Sequence, residues 1–149
     1  MNKDEINIVN MTNDLKSFRE YFKSLDFDFM VVGSLALQVQ DIPIGRDPHD
    51  VDIEMVCNES YKDKFRLLSA SCPKEENDEY KDSLQNYYKF KWGNTIFNVW
   101  LVKELKRSFV FKDSIKYAGV YSILKEKMKY KRNKDFEDLN FIIKKFIEL

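Results

Sequence analysis

Apolar residues recur at helical spacing at Leu15, Phe18, Tyr21, Phe22 and Leu25. The spacing predicts a first helix, with Thr12 or Asn13 as its N-cap. Phe27 to Val32 is a short apolar run that reads as a buried strand ended by Gly33, after which Ser34 would cap a short helix to about Gln40. A loop follows over Asp41–His49, with Pro43, Gly45 and Pro48. From Asp50 to Val56 the polarity alternates, with Val51, Ile53 and Met55 interleaved with acids, so this stretch reads as a second strand.

Ser60 with Asp63 predicts a capped helix to about Ser71, and the charged stretch 73–86 predicts a loop. Tyr87–Trp92 and Thr95–Val102 flank Gly93-Asn94, a two-residue hairpin signal. Phe109–Phe111 predicts a short edge strand, and Val120–Tyr130 a helix. Asn133 would cap a last helix with an apolar stripe at Phe136, Leu139, Ile142, Ile143, Phe146 and Ile147. This order predicts an α/β (α+β) fold with a mixed sheet of four to five strands and a C-terminal helical tail. It forms one domain over 1–149, with a sheet core at 27–112 and helices at 118–149.

Composition agrees with a folded globule: 149 residues, 44% hydrophobic and 15% aromatic. The formal net charge is zero but uneven. Residues 1–75 carry 9 Lys/Arg against 14 Asp/Glu, a net of −5, and residues 76–149 carry 16 against 11, a net of +5. Cys57 and Cys72 show no zinc-type spacing, so they read as structural thiols of a reducing, cytoplasmic protein. No run of about 20 apolar residues is present, so no membrane association is expected.

Two features carry candidate chemistry. Asp50 and Asp52 share one face of a strand, roughly 6.6–6.8 Å apart along it, and suit a hard cation with oxygen ligands. Such a pair also repels unless a cation or an arginine neutralises it, and Arg46 is close enough in sequence to do so. Glu54 continues the face but reads as a paired or solvated charge. Upstream, Val32-Gly33-Ser34 runs from a strand into a helix N-terminus, an arrangement that binds anions through backbone N–H groups and that also serves as a plain structural turn. His49 adjoins Asp50, but the alternation of a strand sends its side chain to the other face. Tyr87, Tyr88, Trp92 and Trp100 read as core aromatics, with base stacking as the sharper alternative.

Taken together, Val32-Gly33-Ser34 followed by Asp50-Val51-Asp52-Ile53 resembles the nucleotidyltransferase superfamily with the DNA polymerase β-like fold. Lys127-Met128 and Lys134-Asp135-Phe136-Glu137-Asp138-Leu139 are similar to the helical tail of its minimal bacterial members, the abortive-infection type among them. The resemblance spans about residues 27–147. It implies that Gly33 and Ser34 hold the triphosphate, with Arg46, Lys127 and Asp135 as further nucleotide-binding residues. It also implies that Asp50 and Asp52 are catalytic and hold Mg²⁺ or Mn²⁺. The reaction it implies moves a nucleoside monophosphate from a nucleoside triphosphate to a hydroxyl on a small molecule, RNA or protein.

The chain departs from the pattern at one position. Where the superfamily usually carries a third carboxylate, within an apolar-acid-apolar context, this sequence has Phe97-Asn98-Val99. Asn98 is near-isosteric with Asp and can offer a metal only a carbonyl oxygen. Two readings follow: an active transferase, or a catalytically degenerate nucleotide-binding module of the toxin–antitoxin type. A purely structural α/β domain accounts for neither the Gly-Ser turn nor the paired aspartates.

Overall fold

The structure is a computed structural model, and it describes residues 3–22, 27–42, 48–58, 61–70 and 86–147. The strands are β1 (Phe27–Val32), β2 (Asp50–Cys57), β3 (Tyr87–Trp92), β4 (Thr95–Leu101), β5 (Phe109–Lys112) and β6 (Ile115–Ala118). The helices are α1 (Lys3–Phe22), α2 (Gly33–Val39), α3 (Tyr61–Ala70), α4 (Val120–Tyr130) and α5 (Asn133–Ile147). The strands form one mixed sheet in the order β3-β4-β2-β1-β6-β5. β1–β2, β3–β4 and β5–β6 pair antiparallel, whereas β2–β4 and β1–β6 pair parallel.

The alternation in β2 decides which face of the sheet is dry. Val51, Ile53 and Met55 are fully buried, as are Phe97 and Val99 of the neighbouring β4. Helix α1 covers this face through Phe18 and Phe22, and α3 through Phe65. Phe18 lies 5.1 Å from the Phe97 ring and 5.9 Å from that of Phe29, and Phe65 stacks on Phe90 at 6.0 Å. The hairpin aromatics Tyr88 and Trp92 join the same cluster, Trp92 lying edge-on to Phe18 at 5.5 Å. The acids Asp50, Asp52 and Glu54 therefore fall on the opposite face, toward α2 and α4.

Several expected boundaries shift. Helix α1 runs through Thr12, whose hydroxyl donates back to the carbonyls of Ile8 and Val9 at 2.9 Å instead of capping the helix. Val32, extended and without a side-chain cap, precedes α2, so Ser34 lies inside the first turn. Helix α5 is capped by Asp135. Its carboxylate reaches back to the Arg132 N–H at 3.2 Å, and the Arg132 carbonyl accepts the first helical bonds.

Among the described residues the sheet has six strands, one more than the upper expectation, because Ile115–Ala118 returns along Phe109–Lys112 as β6. It therefore also extends past the expected core boundary at 112. The turn between them is Asp113-Ser114, and both residues adopt positive φ (51° and 64°). Ser60, Cys72 and the 73–85 stretch lie outside the described residues.

The apolar stripe of α5 does not set its packing. Asp135, Asp138 and Ile142 face inward, and Phe136, Ile143 and Ile147 are exposed. The reason is the ion pair at the α4–α5 junction. Lys127 Nζ lies 2.8 Å from an Asp138 oxygen and 3.8 Å from one of Asp135, and all three residues are buried. Among the described residues no helix is long and apolar enough to cross a membrane.

Candidate active site

Two strand pairings assemble the site. The antiparallel β1–β2 register sets Val32 opposite Asp52, so Gly33, at the end of β1, lies beside the Asp52 carboxylate. The parallel β2–β4 register sets Asp52 opposite Asn98. Gly33 has φ +74°, and a Cβ built on it would meet Asp52 Oδ2 at 2.5 Å. Only glycine tolerates both the backbone conformation and this approach. The sequence-predicted Gly33, Ser34, Asp50, Asp52 and Asn98 are thus brought together.

Asn98 is buried and aims its amide nitrogen at both carboxylates, 3.1 Å from Asp50 Oδ2 and 2.9 Å from Asp52 Oδ1. Its carbonyl oxygen accepts a hydrogen bond from the Tyr87 hydroxyl at 2.5 Å. The Tyr87 ring stacks on Trp100 at 5.1 Å. Burial pushes the Asp52 carboxyl up to about 7, reinforced by the neighbouring Asp50 and Glu126 and partly offset by the Asn98 hydrogen bond and the Lys134 charge.

A cleft of about 400 Å³ opens over this face. Gly33, Ser34, Asp52 and Glu54 line it from the sheet side, and Lys127 and Lys134 from the helices. Lys127 is therefore both a cleft residue and the ion-pair partner of Asp138. Asp135 is fully buried and absent from the lining. Its own burial would raise its pKa, but the hydrogen bonds and charge of Arg132, with Lys127 behind them, hold it below the ordinary value. It orients Arg132, which lines the cleft, and so acts behind the surface on which it was expected.

Arg46 lies outside the described residues. His49 is exposed just before β2. Glu54 is paired rather than free to hold an ion. Arg107 grips both of its oxygens at 3.0 and 3.1 Å, reaches Glu126 at 2.8 Å and donates to Ser122 at 2.9 Å. Burial alone would lower the Arg107 pKa, but these two carboxylates raise it instead. Arg107, Arg132, Glu126 and Trp100 all line the cleft. No sequence motif marked Arg107, since its partners lie 53 and about 19 positions away.

The donor chemistry fits a hard divalent cation on the outer oxygens of Asp50 and Asp52, and Gly33 keeps the space beside Asp52 Oδ2 clear of any Cβ. Among the described residues no third His, Cys, Asp or Glu joins the pair. This follows from the pairing of Glu54 with Arg107 and from asparagine at position 98.

No family profile and no curated protein matches the chain. Two solved structures resemble it. A candidate nucleotidyltransferase from Thermotoga maritima is 16% identical, covers 91% of this chain and 93% of its own, and superposes with a TM-score of 0.54. An antigenic nucleotidyltransferase-like protein from Paracoccidioides brasiliensis is 18% identical, covers 96% of this chain and 76% of its own, and has a TM-score of 0.49. The order of strands and helices, the Gly33–Asp52 junction and the first of these likenesses agree that the chain has a nucleotidyltransferase-like fold.

Proposed function

We propose that the protein transfers a nucleoside monophosphate from a nucleoside triphosphate to a hydroxyl acceptor. The observation that carries this reading is the packing of Gly33 on Asp52, which puts a backbone without a Cβ, at the start of α2, beside the paired carboxylates of β2. Gly33, Ser34 and the first turn of α2 would receive the triphosphate, with Lys134 and the carboxylate-paired Lys127 and Arg132 lining the same cleft. Asp50 and Asp52 would hold Mg²⁺ or Mn²⁺. When bound, that ion neutralises phosphate oxygens and aligns the α-phosphorus. The acceptor oxygen bonds to the α-phosphorus as the α–β bridging bond breaks, pyrophosphate departs, and the hydroxyl proton passes to solvent. The acceptor belongs to a small molecule, RNA or protein.

A second reading has its own observation. The Asn98 amide occupies the third-carboxylate position with a donor instead of an acid, which favours a domain that binds nucleotide without turnover. One experiment separates the two. The protein is incubated with Mg²⁺ or Mn²⁺, each of the four labelled triphosphates and candidate hydroxyl acceptors, and pyrophosphate is measured. Release that disappears in Asp50→Asn and Asp52→Asn is expected. Tight nucleotide binding without release from any mixture would establish the second reading.

A further inference from the structure

We infer that Asn98 takes the place of a second cation, so that the site admits one divalent ion per chain. The inference rests on the nucleotidyltransferase reading and concerns how the same carboxylates are neutralised. The Asn98 amide has two hydrogens and uses one on each aspartate, at 3.1 and 2.9 Å. A carboxylate only accepts hydrogen bonds, so the nitrogen, not the oxygen, must face the pair. The oxygen is engaged on the far side by the Tyr87 hydroxyl, and Tyr87 is itself stacked on Trp100. The amide therefore presents partial positive charge to the inner oxygens of Asp50 and Asp52. A cation lodged between those oxygens and Asn98 would meet two N–H hydrogens and no lone pair.

Glu54 does not replace the missing acid, because Arg107 covers both of its oxygens. The outer oxygens remain for one ion, and Gly33 leaves room beside Asp52 Oδ2. The bridging amide also ties the two carboxylates to each other before any ion arrives. Asn98 is thus a positioning residue for Asp50 and Asp52.

The test counts ions directly. The folded protein is titrated with Mn²⁺ in the presence of each α,β-methylene nucleoside triphosphate, and bound Mn²⁺ is measured by electron paramagnetic resonance. One ion per chain, with no Mn–Mn dipolar broadening, is expected for the wild type, and two coupled ions for Asn98→Asp. Two ions in the wild type would overturn the inference and leave the nucleotidyltransferase reading standing, since the amide would then have turned its oxygen to the metal. One ion in a folded Asn98→Asp would also overturn it, because position 98 would not set the count. No bound ion with any nucleotide would overturn both. If Asn98→Asp does not fold, the wild-type count still decides.

Discussion

Asp52 carries more of the site's behaviour than any other residue, because it touches Gly33 and Asn98 at once. Its carboxyl sits at about 7 in the fold against an ordinary value of 3.8, burial being the main cause. An acid whose folded pKa is raised binds its proton more tightly in the native state. Metal-free stability should therefore fall as pH rises from about 4 to about 7 and level off above that. Urea melts in chelator across this range should show the slope, and Asp52→Asn should flatten it. Divalent-ion affinity should run the other way, weakening below about pH 7, because the ion must displace the proton. Gly33→Ala tests the other contact. With φ +74° and the new Cβ at 2.5 Å from Asp52 Oδ2, it should cost more than about 1 kcal/mol in a urea melt. Cation and nucleotide binding should fall along with it.

The same residues show how far the sequence could be read. Gly33, Ser34, Asp50, Asp52 and Asn98 were legible because each lies in a short local pattern of strand, turn or apolar flank, and the β1–β2 and β2–β4 registers then join the patterns. Arg107 was not legible. Its value comes from Glu54 and Glu126 on other elements, and nothing near it in the chain announces either.

At the scale of elements, the legible ones were those with a single dominant period. The β3–β4 hairpin ends where Gly93-Asn94 predicts, Gly93 taking the positive φ of 62° that a primed turn needs at its first central position. The β5–β6 hairpin turns on Asp113-Ser114 with positive φ at both residues, and neither signals left-handed backbone as strongly as glycine does, so β6 went unseen. Helix α5 misleads in another way. Its apolar stripe is exposed at Phe136, Ile143 and Ile147, because the inward face is given to Asp135 and Asp138 around Lys127. Such a buried pair is costly to break from one side. Lys127→Met should therefore destabilise the chain by about 3–5 kcal/mol in urea melts. Met128→Lys, on the exposed side of α4, should stay within about 0.5 kcal/mol of the wild type.

Across the whole molecule, the charge asymmetry of the sequence becomes a property of the cleft. The acidic half supplies Asp52 and Glu54 from β2, and the basic half supplies Arg107, Lys127, Arg132 and Lys134 from the β4–β5 connection and the C-terminal helices. The two halves do not form separate lobes, because β1 and β2 lie in the middle of the sheet with β4 and β6 on either side. Arg107 and Lys127 are largely engaged by carboxylates, and Arg132 is held by Asp135. Lys134 acts on Asp52 from the first turn of α5, where its charge lowers that carboxyl's pKa. Neutralising it should therefore do two things together. In Lys134→Gln, triphosphate affinity should drop several-fold, and its dependence on salt should become shallower, since one fewer charge is screened. The Asp52 carboxyl should also titrate higher than in the wild type. Lys129→Gln on the exposed face of α4 should change neither quantity, which separates a local effect in the cleft from a general loss of positive charge. Nucleotide binding measured by calorimetry at two ionic strengths, with the Asp52 carboxyl followed by NMR, checks both. Equal losses in the two variants would place the triphosphate away from α5.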